Sequence, residues 1–252
     1  MRTVHDTLFR GTMVLHQPAR GQGYRVNVDA VLLAWFAGQA RRSRHAVDLG
    51  AGVGAVALSL LYRGRVDAVT LVERDRELSA LATKNLAANG WQGRGACVCA
   101  DVTDMNALEQ GFADLAICNP PYVPPGRGRA PKVAAGARVG ELGSFTSAAR
   151  RALGPRGRVA FVYPAHELTA LFAELRNAGL EPKSLCFVHA TRDDPARVAL
   201  VLALPAKKGG LVVAPPFIER DGGRPSEGLL ALLHPRDDLP AAGVRSRAAD
   251  RE

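Results

Sequence analysis

The chain has 252 residues, of which 47% are hydrophobic, so it can form one large α/β domain and is not globally disordered. No stretch approaches the roughly 20 apolar residues of a membrane-spanning helix, and residues 1–5 lack the order of a signal peptide. We therefore expect a cytoplasmic protein that does not contact a membrane. The formal net charge of +9 favours a polyanionic partner, most simply nucleic acid.

The first 44 residues predict a small β-hairpin over residues 7–16 and a helix through residues 30–36, which Asn27 or Asp29 can cap. From residue 45, short apolar strands alternate with helices, as in a doubly wound, mostly parallel sheet. The predicted strands span residues 45–49, 69–73, 96–100, 115–119, 158–163, 184–190 and 197–204. The predicted helices span residues 55–62, 76–89, 104–110, 144–153 and 166–178, with a Gly/Pro/Arg-rich loop over residues 124–143.

This pattern indicates a Rossmann-like α/β fold with a mostly parallel seven-stranded sheet and helices on both faces. The last two strands have no helix between them, which predicts an antiparallel hairpin at one edge. We divide the chain into residues 1–44, which pack on the core, the main domain over residues 45–234 and a polar, flexible tail over residues 235–252.

A glycine-rich turn follows the first strand of the main domain, in the sequence Asp-Leu-Gly-Ala-Gly-Val-Gly at residues 48–54. Glycine lets the backbone turn sharply and approach a ligand closely, so Gly50, Gly52 and Gly54 are candidate cofactor-binding residues. A turn of this kind is common to many nucleotide sites and does not by itself identify the ligand.

Three acids at successive strand ends specify the ligand further. Glu73 lies 19 residues after Gly54, where a carboxylate can accept hydrogen bonds from both ribose hydroxyls. Asp101 ends the third strand and can accept a hydrogen bond from an adenine amino group. Asp48 would be poorly placed beside a pyrophosphate but suits a cofactor with an ammonium and a sulfonium. The set favours S-adenosylmethionine over NAD.

The sequence Asn119-Pro120-Pro121-Tyr122 follows the fourth strand and indicates the chemistry. The Asn119 side-chain carbonyl can accept a hydrogen bond from a planar NH₂ group, and Tyr122 offers a flat face for stacking. The prolines fix φ and carry no N–H, so the Pro120 carbonyl can point into the site. Asn119, Pro120 and Tyr122 are therefore the candidate catalytic residues.

Together with its flanks, this series resembles the tRNA1(Val) (adenine-37-N6)-methyltransferase family, within the class I S-adenosylmethionine-dependent methyltransferases. The flanks are Leu-His-Gln-Pro-Ala-Arg-Gly and Tyr-Arg-Val-Asn-Val-Asp-Ala-Val-Leu-Leu-Ala near the amino end, and Pro-Ala-Arg-Val-Ala-Leu-Val and Pro-Ser-Glu near the carboxyl end. They occupy residues 15–21, 24–34, 195–201 and 225–227. The similarity covers about residues 7–234.

The resemblance implies that residues 45–234 form a class I methyltransferase domain that binds S-adenosylmethionine and methylates N6 of adenine, most simply at tRNA position 37. Asn119 and Tyr122 would hold the adenine, and no metal is needed. The residues implied to contact the cofactor are Asn27, Asp29, Asp48, Gly50, Gly52, Gly54, Glu73, Asp101 and Asn119.

Arginine-rich segments predict the contacts with tRNA. Residues 123–158 contain eight basic residues and one acidic residue, and Arg41, Arg42 and Arg44 form a second cluster. Both segments, near residues 41–44 and 127–158, could contact phosphates around the target base. The oligomeric state is not predicted.

The Asn-Pro-Pro-Tyr motif specifies only a planar NH₂ group, so other acceptors stay open. A protein glutamine amide is the nearest alternative, although release-factor methyltransferases carry a separate helical amino-terminal domain. Adenine in DNA and N2 of guanine in RNA are further alternatives. A non-catalytic RNA-binding protein that retains the fold is a fourth, which the presence of Asp48, Glu73, Asp101 and Asn119 disfavours.

Overall fold

The computed structural model of the protein describes residues 2–22, 25–104, 108–120 and 135–234, without the side chains of residues 135–141. The predicted tail over residues 235–252 lies outside the described residues, as does Tyr122. In the described part of the chain, no helix has the length and apolar character needed to cross a membrane.

The structure contains short and long strands, with six α-helices among the described residues. The helices are α1 Val28–Gly38, α2 Ala55–Tyr62, α3 Arg76–Ala88, α4 Ala135–Ala152, α5 Leu168–Asn177 and α6 Glu227–Leu233. The strands are β1 Thr3–Leu8, β2 Met13–Pro18, β3 Ser43–Leu49, β4 Val66–Val72, β5 Gly95–Val98, β6 Ala113–Cys118, β7 Leu153–Pro164, β8 Glu181–His189, β9 Ala196–Leu204, β10 Val212–Val213, β11 Phe217–Ile218, β12 Arg220–Asp221 and β13 Arg224–Pro225.

One sheet, in the order β10-β8-β9-β7-β6-β3-β4-β5, organises the main domain, and β11 also pairs with β8. Strands β3 to β7 are parallel, whereas β9 runs antiparallel to both β7 and β8. The predicted seven-stranded sheet with its antiparallel hairpin is thus confirmed, with two additional two-residue strands beside β8. Because β3 lies between β4 and β6, the strand order reverses there, at the carboxyl ends where ligands bind in open α/β sheets.

Helices cover both faces of the sheet, which explains why the central strands read as continuous apolar runs. On one face, Leu32 of α1 and Leu58 of α2 pack with Ile117 of β6. On the other face, Phe145 of α4 and Leu171 of α5 pack with residues such as Phe161 of β7. Both faces of the sheet are therefore buried.

One predicted loop and one predicted helix are wrong. Helix α4 begins at Ala135, inside the segment predicted as a loop, because alanine and arginine favour a helix despite the glycines between them. The helix predicted over residues 104–110 is absent from its described residues, 104 and 108–110, where only turns and bends occur. By contrast, the predicted amino-terminal hairpin is present as β1 and β2, which pair in antiparallel register.

A partly buried ion cluster joins the amino end of α1 to the carboxyl-terminal part of the chain. Asn27 caps α1 by accepting from the Asp29 N–H at 3.1 Å. The Asp29 carboxylate, only 2% exposed, forms an ion pair with the Arg197 guanidinium at 2.5 Å. Arg197 also donates two hydrogen bonds to Glu219, at 3.0 and 2.6 Å. This cluster therefore holds α1 against β9 and the segment after β11.

Arg197→Ala is expected to lower the free energy of unfolding by about 3 kcal/mol, because the Asp29 carboxylate would stay buried without its cation. Arg42→Ala is the matched control: its ion pair with Asp67 is exposed on both sides and should contribute less than about 1 kcal/mol. Urea denaturation at an unchanged m-value measures both losses. Equal losses in the two variants would contradict the role of the cluster.

Candidate functional site

A cavity of about 470 Å³ opens at the carboxyl ends of β3, β4, β5 and β6. Its volume lies within the range of roughly 300–1,000 Å³ that is typical of small-molecule sites. Six of the predicted site residues line it: Asp48, Gly50, Gly52, Glu73, Asp101 and Asn119. The sheet order therefore brings together residues that lie up to 71 positions apart in the sequence.

The glycine loop between β3 and α2 follows a path that only glycine adopts readily. Gly50, Gly52 and Gly54 have φ angles of +70°, +57° and +86°, in the left-handed region. A Cβ atom at Gly54 would lie 2.5 Å from a Leu71 methyl carbon, and one at Gly50 would lie 3.0 Å from the Phe145 ring. Gly54 therefore permits close packing beneath α2, whereas Gly50 and Gly52 present their backbone to the cavity.

The Glu73 carboxylate fixes the loop and still faces the cavity. One oxygen, Oε2, accepts from the Gly52 N–H at 2.8 Å, and Oε1 accepts from the Asp75 N–H at 2.9 Å. Each carboxylate oxygen has two lone pairs, so each can accept one further hydrogen bond from a ligand. The side chain can thus serve both the loop and a pair of hydroxyl groups.

The Asp48 carboxylate is almost completely buried at the base of the cavity. Its Oδ2 accepts from the Ala57 N–H at 3.1 Å, in the first turn of α2. Burial raises the pKa of Asp48, the Ala57 hydrogen bond lowers it, and the nearby Glu73 charge raises it, which together give a pKa of about 7. A positive group in the cavity would therefore gain from ionised Asp48 and help to keep it ionised.

Asp101 is more exposed and lies at the rim. Its Oδ1 accepts from the Thr103 N–H at 2.9 Å and from the Thr103 hydroxyl at 2.8 Å. These hydrogen bonds, and more weakly the Arg74 guanidinium, lower the pKa of Asp101. The carboxylate is thus ionised at neutral pH and oriented by its own turn, so it is available as an acceptor.

Three predicted cofactor residues do not line the cavity. Asn27 caps α1, Asp29 pairs with Arg197, and Gly54 lies beneath α2. Their neighbours Val26 and Ala30 do line it, so the amino end of α1 forms part of the wall. A direct contact from Asn27 or Asp29 to a ligand stays a prediction.

Sequence reasoning missed several wall residues. Val26, Ala30, Phe145 and Thr103 line the cavity, yet none was assigned to the site. Ala30 and Phe145 lie in predicted helices, but which face of a helix meets the cavity depends on tertiary packing. Thr103 could have been found from its spacing, because a Ser or Thr two residues after Asp is typical of an Asx-turn.

Asn119 directly follows β6 and lines the cavity, and Pro120 after it is buried. Tyr122 lies outside the described residues. The described half of the Asn-Pro-Pro-Tyr motif is thus at the same edge of the sheet as the three acids. An acceptor held by Asn119 would lie beside a ligand held by those acids.

The arginine prediction needs correction. Arg158 is only 3% exposed, and its guanidinium donates to the Arg41 carbonyl and to Ser43 Oγ, so it cannot contact nucleic acid. Arg41 in turn donates to the Arg156 carbonyl at 2.6 Å. The segments 41–44 and 150–158 surround the starts of β3 and β7, one strand length of roughly 20 Å from the cavity.

The remaining basic residues of the predicted interface lie elsewhere in the chain. Arg127, Arg129 and Lys132 lie outside the described residues, and the side chain of Arg138 is not described.

Among the described residues, no group of three or more His, Cys, Asp or Glu side chains could hold a metal ion.

The family comparison assigns the class. Residues 27–174 match the family model described as "Methyltransferase small domain", which is more than half of the chain and includes most of the cavity wall. The chain therefore belongs to this family of methyltransferases.

Curated relatives specify the family more closely. The chain is 31% identical over 222 residues to the tRNA1(Val) (adenine(37)-N6)-methyltransferase of Aeromonas salmonicida (strain A449), covering 84% of this chain and 89% of the relative. The enzyme of the same name from Shewanella sp. (strain MR-4) is 29% identical over 185 residues, covering 71% and 78%. The chain belongs to the tRNA1(Val) (adenine(37)-N6)-methyltransferase family, and the resemblance found in the sequence is confirmed.

Solved structures support the fold. A crystal structure from Agrobacterium tumefaciens, described as a predicted O-methyltransferase, aligns with a TM-score of 0.66 at 22% identity, covering 81% of this chain and 94% of that one. Geranyl diphosphate methyltransferase in complex with S-adenosylmethionine aligns with a TM-score of 0.51 at 14% identity, covering 71% and 85%. The predicted class I methyltransferase fold is confirmed.

Asp48→Asn is expected to stabilise the protein at pH 8, by up to about 4 kcal/mol, because it removes a buried charge and keeps the acceptor for Ala57. The folded-state pKa is about 7 against 3.8 in the unfolded chain, so the wild type loses stability as pH rises between these values. The gain of the variant should therefore vanish near pH 4. Thermal unfolding from pH 4 to 8 measures it.

Asp101→Asn is the matched control with the opposite sign. The pKa of Asp101 is lowered by folding, so its carboxylate adds stability that is present above the unfolded value and lost as pH falls. This variant should be less stable than the wild type at pH 8. A pH-independent difference between wild type and Asp48→Asn would contradict the raised pKa of Asp48.

Proposed function

We propose that this protein transfers the methyl group of S-adenosylmethionine to N6 of an adenine in tRNA, most simply adenine 37 beside the anticodon. The observation that carries the proposal is that Asn119 lines the same cavity as the glycine loop and the three acids. The family of the chain supports it independently, since its relatives are named for this reaction.

The donor set fits S-adenosylmethionine. Asp48 would face the positive methionine part, where a cation offsets the cost of ionising a buried carboxylate. Glu73 would accept from the two ribose hydroxyls with the lone pairs that the loop leaves available. Asp101 would accept from the adenine amino group at the rim, and Gly50 and Gly52 allow close backbone approach. When bound, the cofactor supplies an electrophilic methyl group on a sulfonium.

Asn119 and Pro120 would act on the methyl acceptor. The exocyclic amine of adenine is conjugated and weakly nucleophilic. Hydrogen bonds from its two N–H groups to the Asn119 side-chain carbonyl and the Pro120 carbonyl would orient the nitrogen and make its lone pair available. The carboxamide is neither an acid nor a base at neutral pH, so its role is positioning, which can account for a large part of the rate. As the methyl group leaves the sulfur and bonds to N6, the cationic nitrogen would release one proton to water. Tyr122 would stack on the base.

Adenine is preferred over a glutamine amide because relatives that match 84% and 71% of the chain are named for adenine 37.

Asn119→Ala is expected to lower kcat by about 10²-fold or more, because the target amine loses an acceptor that orients it. Binding of S-adenosylmethionine should stay within about threefold of the wild type, since the three acids are unchanged. Labelled methyl transfer to an unmodified tRNA(Val) transcript measures kcat, and calorimetry measures cofactor binding. Asn177→Ala, an exposed asparagine on α5, is the matched control and should retain full activity.

The acceptor is tested with the transcript. Replacing adenine 37 by guanine should abolish transfer, and nucleoside mass spectrometry should find the label as N6-methyladenosine. Deletion of the gene should remove the same nucleoside from cellular tRNA. Full activity of Asn119→Ala, or unchanged N6-methyladenosine in the deletion strain, would contradict the proposed function.

A further inference from the structure

Asn85 on α3 and Asn89, which caps the carboxyl end of α3, bind β2 as a neighbouring strand would. Asn89 accepts from the Val14 N–H at 2.9 Å and donates to the Val14 carbonyl at 2.8 Å. Asn85, one turn earlier, accepts from the His16 N–H at 2.6 Å and donates to the His16 carbonyl at 3.0 Å. Both carboxamides thus pair with alternate residues of one strand and dock the hairpin on α3.

Asn85 makes two contacts that Asn89 does not. Its carboxamide oxygen lies 3.1 Å from the His16 ring nitrogen Nδ1. Its amide nitrogen also donates to the Val53 carbonyl at 3.0 Å, inside the glycine loop. Asn85 is fully buried and does not line the cavity, whereas Val53 does. A single carboxamide therefore connects the amino-terminal hairpin to the wall of the proposed cofactor site.

The Val53 carbonyl lies between two glycines, where the backbone of the loop can change conformation easily. Gly52 and Gly54 on either side have positive φ angles, so their backbone dihedrals have little restriction from side chains. The Gly54 N–H donates to the Ala51 carbonyl at 2.8 Å, and Asn85 binds the Val53 carbonyl. Both ends of the Val53–Gly54 peptide group are thereby fixed, which sets its orientation.

That peptide group is linked to the proposed ribose acceptor. The Gly52 N–H, one residue earlier, donates to Glu73 Oε2. If the Val53–Gly54 peptide rotates, the path of Gly52 changes, and with it the hydrogen bond that orients Glu73. The loss of a buried hydrogen-bond partner also leaves the Val53 carbonyl unsatisfied, which favours such a rotation.

The hairpin contacts the wall at a second point. Gln17 of β2 accepts from the Val26 N–H at 3.0 Å, and Val26 lines the cavity at the amino end of α1. Gln17 itself donates to Asp6 of β1 at 2.6 Å. The hairpin therefore supports two separate wall segments, through Gln17 and through Asn85.

We propose that Asn85 is a positioning residue of the cofactor site: its carboxamide holds the glycine loop in its ligand-binding path and couples that loop to the docked hairpin. The proposal rests on the proposed function in so far as the cavity binds S-adenosylmethionine. Under this proposal the amino-terminal hairpin contributes to cofactor binding, although its residues are far from the glycine loop in the sequence.

The test compares Asn85→Ala with Asn89→Ala, which each remove two hydrogen bonds to the backbone of β2. Asn85→Ala should weaken S-adenosylmethionine binding by about tenfold, because it also frees the Val53 carbonyl. Asn89→Ala should change it by less than about twofold, although both variants lose thermal stability. Calorimetry well below both melting temperatures measures the dissociation constants.

A second readout separates loop positioning from general weakening. Hydrogen exchange of a peptide covering residues 50–54 should accelerate in ligand-free Asn85→Ala and not in Asn89→Ala. At saturating cofactor, kcat of Asn85→Ala should approach the wild-type value while KM for the cofactor stays raised. If Asn85→Ala does not fold, Asn85→Ser, which leaves a small polar side chain beside His16, is measured in its place.

The outcomes are distinct. Equal cofactor affinity and equal loop exchange in the Asn85 and Asn89 variants would overturn the role of Asn85. Failure of the unchanged protein to bind S-adenosylmethionine would overturn the proposed function instead, and the exchange rates would then decide the role of Asn85 in the loop alone. A tenfold loss restricted to the Asn85 variant, with faster loop exchange, supports the proposal.

Discussion

The position of β3 between β4 and β6 is the constraint on which the site depends. Because these strands are parallel, the residues that follow them emerge at one edge of the sheet, and the reversal of strand order opens a crevice there. Asp48, Glu73 and Asn119 come from these three strands and meet at that edge. The sheet thus brings cofactor-binding and acceptor-binding candidates together without requiring them to be close in sequence.

Burial of Asp48 at the carboxyl edge of the sheet lowers the stability of the fold. Asp48 and Glu73 are two carboxylates in one cavity, and burial together with the Glu73 charge disfavours ionisation of Asp48. The N–H groups of Gly52 and Ala57 offset part of this cost by binding one carboxylate each. A cationic ligand would offset more, so the two acids favour positively charged ligands over anionic ones such as pyrophosphate.

Local sequence patterns predicted the turns and caps that depend on neighbouring residues. They did not predict side-chain contacts between residues that are far apart in the sequence. The glycine turn, the acids after strands and the Asn27 cap each follow from a few adjacent positions. The pairing of Asp29 with Arg197, 168 residues further along the chain, could not be read from local sequence, and whether Asp29 also contacts the cofactor stays a prediction. Asn85 reads as an ordinary helix residue, since its bonds to His16 and Val53 arise only from packing. Charge counts likewise ignore burial, as Arg158 demonstrates.

The positions of the arginines show which of them lie too far from the cavity to contact a base held there, which the net charge alone does not reveal. The segments 41–44 and 150–158 lie at the far edge of the sheet, roughly 20 Å from the cavity and more than two Debye lengths of about 8 Å at physiological salt. At that distance they do not help to hold a base beside Asn119. Their charge is part of the field of a chain with a net charge of +9, and a field of this sign favours the approach of a polyanion. The residues that hold the target base are therefore expected nearer the cavity, where Asn119 and the amino end of α1 lie.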